Sequence, residues 1–550
     1  MPKDFRLSNN NTGNPFGASR RGWLAIMLVS LNLAGGCSPA GSGRPASSVS
    51  FDIAADPRNL NPLFLNPDAA SVEQQLARLV FEPFIDLDPR GQPEPALLRE
   101  IPTVANGGLS TDGRTIRYRL RRGVRWSDGK PVTSRDVIFT LRAILDPRNP
   151  VRTHEGYDLI DRAETPDAQT AVFHLKRAWA PAVMTYFSYG FTPQFVLPEH
   201  VLAAQVPLAR ASFNAAPQVG DGPYRFLSWR RGEGLRYAAN PRYWRGVPAV
   251  RELVVRSVPD PSTNLLLLQS GELDWNLVAP AQTVIVRGKG IELLTVPTSV
   301  VAGLALNTSR PPLSDVRVRR ALAASVDRPA ISRKITLGYY PVTDMIQPRF
   351  SWAFDPSVRE PDYDPARADR LLDEAGWRRG PDGMRLRNGV PLHLTYAQFS
   401  ETATGVRVAT TVQAALHQRG IDVTVKSVSN AQLFLPHTGV LAAGLFDLAY
   451  VPWTMGADPD DSAVLGCGAP SNYMRWCSPQ VQRLETAALS STEQNARKRI
   501  YGRIARIVAE QVPILYLFNA DYVYAYRKRL HGFSPNAFLP TWNAYAWRVR

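Results

Sequence analysis

From about residue 51 onward, short stretches in which apolar and polar residues alternate are interleaved with stretches whose apolar residues recur every three to four positions. The two periods belong to strands and helices, so the chain predicts a mixed α/β protein. Tyr118, Leu120, Val124 and Trp126 lie in a strand region that ends at the turn Ser127, Asp128, Gly129. A helix then opens at Thr133 or Ser134, buries Val137, Ile138, Leu141 and Ile144 and stops at Pro147. Asp364 and Pro365 start another, with Ala368, Leu371, Leu372 and Ala375 on one face and Gly376 as its terminator. Thr492 precedes a basic helix whose stripe Ile500, Ile504, Ile507 and Val508 faces a core until Pro513. The arginines of these segments, Arg317, Arg319, Arg320, Arg497, Arg499 and Arg503, read as solvated faces or intramolecular partners rather than a binding stripe.

The first forty residues follow another pattern. Arg20 and Arg21 precede an apolar run from Trp23 to Leu33, followed by Ala34, Gly35, Gly36 and then Cys37. At about 1.5 Å per residue that run is too short to cross a hydrocarbon core of roughly 30 Å, and no later segment has the required length of apolar residues. It therefore predicts a secretion signal over 1–37. Small residues before a cysteine resemble the lipobox of bacterial lipoproteins, which would make Cys37 the acylated first residue of the mature chain; Ala34 departs from the leucine preferred there. Ser19 to Leu24 also resembles a twin-arginine export signal. The Gly, Ser, Pro and Ala tract 38–50 is a flexible tether. Export places the other two cysteines, Cys467 and Cys477, in an oxidising compartment, close enough in sequence to form a disulfide. A metal site there would need ligands that none of the seven histidines supplies nearby.

A chain of 550 residues exceeds what one hydrophobic core supports, so several lobes are expected. The net charge is +16, from 64 basic and 48 acidic residues, and only +3 of it lies in the first 36 residues. The remainder is diffuse, with no basic tract interleaved with aromatics, which argues against nucleic acid as a partner.

Five stretches carry a family resemblance by their order and spacing: YRLRRGVRWSDGKPVTSRDVIFT from Tyr118, PQVGDGPYRFLSWRRGEGLRYAANPRYWRGVP from Pro217, LNTSRPPLSDVRVRRALAASVD from Leu306, YDPARADRLLDEAGW from Tyr363, and the aliphatic helix from Arg499 to Pro513. They resemble family 5 of the bacterial extracellular solute-binding proteins, which includes peptide-binding and nickel-binding members. The resemblance implies a two-lobed periplasmic-binding-protein-like clamp with an extra small domain inserted in the first lobe. Lobe one would comprise 51–84, 212–302 and 491–550, the inserted domain 85–211, and lobe two 303–490. It also implies a lipid-anchored, monomeric carrier outside the bacterial cytoplasmic membrane, without cofactor, that hands a peptide-like solute to ABC permease subunits and their ATPases. Locally, Gly220 and Gly222 read as bracketing a tight turn before Pro223, with Tyr243 and Trp244 as apolar burial nearby.

Peptide-binding relatives place an aspartate after a lobe-two tryptophan, to pair with the ligand ammonium. Here the loop reads Trp453, Thr454, Met455, Gly456, Ala457, Asp458, Pro459, and the expected acid is absent; Asp458, Asp460 and Asp461 are the nearest substitutes. Loop position adds Asn66, Pro67 and Asp68, and Gln398, Phe399 and Ser400. The missing acid predicts a ligand other than a plain dipeptide. Two rival readings are a metal chelate such as a nickel complex and a secreted hydrolase. The seven histidines lack metal-ligand spacing, and G-x-S-x-G, H-E-x-x-H and P-loop motifs are missing.

Overall fold

The computed structural model describes residues 47–64, 70–190, 193–286, 288 and 290–550. Cys37, the signal and most of the tether lie outside the described residues, as do Asn66, Pro67 and Asp68.

Two β-sheets organise the described chain. The first has seven strands in the order Ile291–Val296, Tyr522–Arg527, Trp275–Val278, Ser48–Ile53, Glu252–Ser257, Gly234–Ala239, Tyr224–Arg230. Ser48–Ile53 is parallel to both of its neighbours, and the other pairs are antiparallel. The second has five strands in the order Asp422–Val428, His393–Phe399, Leu448–Thr454, Val300–Leu306, Ile514–Asn519. Each sheet packs its own apolar core. The chain passes between the sheets at 297–299 and again at 520–521, and the two crossings lie side by side. The Thr298 hydroxyl donates to the Ala520 carbonyl and the Ala520 N–H donates to the Val300 carbonyl, both at 3.0 Å. Two short adjoining crossings are the geometry of a hinge between lobes.

The helices form where capping and periodicity place them. Asp136 accepts from the Thr133 N–H at 2.8 Å to open Ser134–Leu145, whose Val137, Leu141 and Ile144 are buried while Ile138 is half-buried. Asp364 accepts from the Arg367 N–H at 2.9 Å to open Pro365–Glu374. Glu493 occupies the cap position of Gln494–Gln511.

Several expected boundaries move. The first strand begins at Ser48, inside the expected tether. Helix Gln494–Gln511 and strand Ile514–Asn519, expected in lobe one, belong to the second core: Ile514 to Phe518 are all buried there because this strand pairs with Val300–Leu306. Only from Tyr522 does the chain rejoin the seven-stranded sheet. Residues 85–211 carry a three-stranded sheet of Thr115–Arg119, Thr170–Leu175 and Ile160–Asp167. Their apolar residues merge into one core with the seven-stranded sheet rather than forming a separate one. Gly220 and Gly222 serve close approach rather than turn conformation, since neither has a positive φ. A Cβ would lie 2.2 Å from the Val80 carbonyl oxygen at Gly220 and 2.5 Å from the Val80 carbonyl carbon at Gly222. Among the described residues no helix is long and apolar enough to cross a membrane.

Candidate functional site

Strand Leu448–Thr454 pairs with Val300–Leu306 along its whole length, from Leu306↔Leu448 to Val300↔Thr454. On its other side it pairs with His393–Phe399 only at Tyr396↔Leu448 and Ala397↔Ala449. Beyond Ala449 that edge has no strand neighbour among the described residues. A cavity of about 600 Å³ opens there. One wall is the strand end from Val451 through Met455 and Gly456, with the short helix Asn430–Phe434 and Tyr473. The opposite wall comes from the 85–211 segment: Arg152, Glu155, Pro181, Thr185, Tyr189 and Gly190. The cavity therefore lies between lobes. At one point its walls touch, where the Ala457 N–H donates to the Tyr189 carbonyl at 3.1 Å.

Tyr189 is fixed from behind. Its hydroxyl donates to Asp86 at 2.7 Å, Asp86 pairs with Arg78 at 2.9 Å, and Arg78 also pairs with Glu82, which accepts from the Tyr243 hydroxyl at 2.7 Å. All of these groups are buried. Burial works against the charge on Arg78, but Glu82 and Asp86 outweigh it and hold its pKa above the ordinary value. Tyr243, expected to supply apolar burial, is thus also a hydrogen-bonding member of this network.

The structure brings together Trp453, Thr454, Met455, Gly456 and Asp458 on the cavity wall. Trp453 is 4% exposed, belongs to the second core as well as to the wall, and its indole N–H has no hydrogen-bond partner among the described residues. Gln398, Phe399 and Ser400 are not on the wall. Gln398 is buried and donates to the Ser427 hydroxyl at 2.5 Å. Phe399 supports the wall from behind, its ring centroid 6.4 Å from that of Phe434. Ser400 faces solvent and donates to the Val428 carbonyl at 3.3 Å. Sequence reading missed Arg152, Glu155, Tyr189, Asn430 and Tyr473, which sit far apart in the chain and carry no motif.

The three substitute acids are already committed. Asp458 takes both ends of Arg497, Nη1 to Oδ2 at 2.7 Å and Nη2 to Oδ1 at 2.5 Å, with both side chains nearly buried. Burial opposes the Arg497 charge, and the Asp458 carboxylate more than offsets it, so its pKa is raised. Asp460 accepts from the Ser462 N–H at 2.9 Å, and burial pushes its pKa up. Asp461 accepts from the Gln347 amide at 3.2 Å and faces buried Glu485. Burial raises the pKa of both carboxyls, and the Asp461 charge raises Glu485 further. No protein donor reaches either Glu485 oxygen among the described residues, so the contact between the two acids holds only while they share a proton. Arg497, on the helix read from sequence as basic and amphipathic, is an intramolecular partner, as is Arg319, which donates to the Leu313 and Gln511 carbonyls at 2.8 Å. Arg499 and Arg503 are exposed.

Cys467 and Cys477 are joined in a disulfide, and the loop that it closes carries Ser471 and Tyr473 to the cavity. Among the described residues no group of three or more His, Cys, Asp or Glu side chains could hold a metal ion. What the cavity offers is an unpaired strand edge, an aromatic and aliphatic lining, and a facing wall on another lobe, an arrangement suited to enclosing a solute.

Protein XP55 of Streptomyces lividans is 29% identical over 508 residues, covering 90% of this chain and 87% of that protein. Di/tripeptide-binding protein 2 of Pseudomonas aeruginosa is 28% identical over 478 residues, covering 79% and 84%. Among solved structures, NikA from Brucella suis in complex with Fe(III)-EDTA matches with a TM-score of 0.80 at 23% identity, covering 92% of this chain and 100% of that one. That last likeness is one of fold. Residues 92–474 match the bacterial extracellular solute-binding proteins, family 5 Middle, and with that span, its two sheets and its interlobe cavity, the chain belongs to family 5 of the bacterial extracellular solute-binding proteins.

Proposed function

We propose that this protein is the substrate-binding component of an ABC importer and that it captures a peptide or peptide-like solute between its lobes. The observation that carries the reading is the strand edge beyond Ala449, which lacks a neighbour among the described residues and faces the cavity. An extended peptide laid against that edge gains main-chain hydrogen bonds from the strand, with Trp453, Phe434 and Tyr473 available to its side chains. A curated relative that binds di- and tripeptides supports the same reading. The partners are ABC permease subunits with their ATPases, and closure about the hinge at 297–299 and 520–521 is the signal they would detect. The chain acts as a monomer, held at the membrane through acylated Cys37 after removal of its signal.

Because Asp458 is held by Arg497, a free peptide ammonium finds at the Trp453 loop only the Asp460 carboxylate, which is tied to the Ser462 N–H. Peptides whose recognition rests on the backbone and side chains are therefore favoured over plain dipeptides. Isothermal titration of the purified protein with peptides of two to nine residues, and with copies N-methylated at alternate amides, tests this. Loss of at least tenfold in affinity on methylation is expected. Equal binding of methylated and unmethylated peptides, or binding of metal chelates alone, overturns it.

A further inference from the structure

A second cavity, of about 260 Å³, opens at the carboxyl ends of the three mutually parallel strands Glu252–Ser257, Ser48–Ile53 and Trp275–Val278. Crevices at the carboxyl ends of parallel strands are recurrent binding positions. Its lining differs in kind from that of the larger one. Asp52, the penultimate residue of its strand, contributes a carboxylate that no cation of the described residues pairs with. Arg256 is its register neighbour, but that guanidinium is engaged by Glu272 at 2.7 Å. Beside it, Asn264 is 7% exposed; its amide N–H donates to the Val258 carbonyl at 3.1 Å, while its Oδ1 is buried with no donor among the described residues. Asn276, also buried, is on the same wall. Tyr522, Tyr524 and Phe538 supply aromatic walls.

Two acceptors set the chemistry: the Asp52 carboxylate, which takes a hydrogen bond from its own backbone but has no cation, and Asn264 Oδ1, which has no donor among the described residues. A carboxylate oxygen and an amide oxygen in one small cavity call for a ligand that brings several N–H donors and a positive charge, which an ammonium does with three. Aromatic rings attract the same charge through their faces. A bare divalent ion would need about six oxygen ligands, which this largely apolar lining does not supply. We infer that this second cavity is a binding site for a small organic cation carrying a primary ammonium, with Asp52 as its counter-charge and Asn264 as a further acceptor. Burial pushes the empty-site pKa of Asp52 up to about 7, so the carboxyl is held at a cost in stability that a bound cation removes.

The site is independent of whatever the larger cleft holds, and the test separates them. The full exported chain is titrated calorimetrically at pH 8 with n-butylammonium chloride, with n-butanol as the neutral counterpart, and with a peptide ligand of the larger cleft. Butylammonium binding at one site, at least tenfold tighter than butanol, is expected. Asp52→Asn weakens it at least tenfold and leaves peptide affinity within twofold; Asn264→Leu weakens it severalfold. Removing a desolvated charge leaves Asp52→Asn folded, which its melting temperature checks. Absence of butylammonium binding, equal binding of butanol, or unchanged binding by both variants overturns the inference, whether or not peptide binds.

Discussion

The two cavities use their acids in opposite ways. In the larger, Asp458 is clamped by Arg497, Asp460 caps a turn and Asp461 shares a proton contact with Glu485. Of these, Asp458 and Asp460 line the wall. In the smaller, Asp52 stands without a cation and Asn264 presents an acceptor without a donor. A charged group that is already compensated contributes shape, whereas an uncompensated one costs stability until a ligand arrives. On the Trp453 side of the larger cleft recognition therefore falls to the strand edge and the aromatic lining, with Arg152 and Glu155 on the facing wall, and in the smaller to charge.

The sharpest way to break the contrast is to open the clamp. Arg497→Met leaves Asp458 buried without a partner and should destabilise the protein by about 3–5 kcal/mol in urea denaturation, while the double variant Asp458→Leu with Arg497→Met recovers most of the loss. If the single and double variants are equally stable, Asp458 is not compensated as described. Next, the disulfide: replacing Cys467 and Cys477 with alanine should cost about 2–3 kcal/mol through the loop of sequence separation 10, seen as a lowered Tm. The same change loosens Ser471 and Tyr473 and should weaken ligands of the larger cleft without touching butylammonium binding.

A pH series addresses the smaller cavity. The pKa of Asp52 is raised in the folded state, so the native protein holds this proton more tightly than the unfolded chain. Its contribution is intact below about pH 4 and declines as pH rises towards 7. Asp52→Asn should remove that decline, making the variant more stable than the parent at pH 8, as measured by urea midpoints. A parent and variant with parallel pH profiles would show that Asp52 is solvated. The smallest effect is expected from Trp453→Phe, which keeps most of the bulk but deletes the unpartnered indole N–H. A severalfold loss of peptide affinity, about 1 kcal/mol, identifies that N–H as a ligand donor; unchanged affinity assigns Trp453 to packing alone.

Local chemistry carried much of this architecture. Thr133 with Asp136, and Asp364 with Pro365, open helices because capping needs only residues a few positions apart. The Trp453 to Asp458 loop reached the cavity wall because it follows directly from a strand of the five-stranded sheet. Gln398 and Phe399 did not, because the side chains near a strand's end depend on which neighbour covers them, and here Ser427 and Phe434 do.

Periodicity and turn chemistry act over a handful of residues, so strands, helices, caps and the pairing of two nearby cysteines can be read along the chain. Which sheet receives Ile514–Asn519, which arginine neutralises Asp458, and which acid is left without a partner are settled by contacts between residues tens to hundreds of positions apart. Arg497 and Arg499 look alike in sequence; one is buried in an ion pair and the other exposed. Charge compensation is a property of three-dimensional neighbours, and for that reason the binding chemistry of both cavities emerged only from the packed lobes.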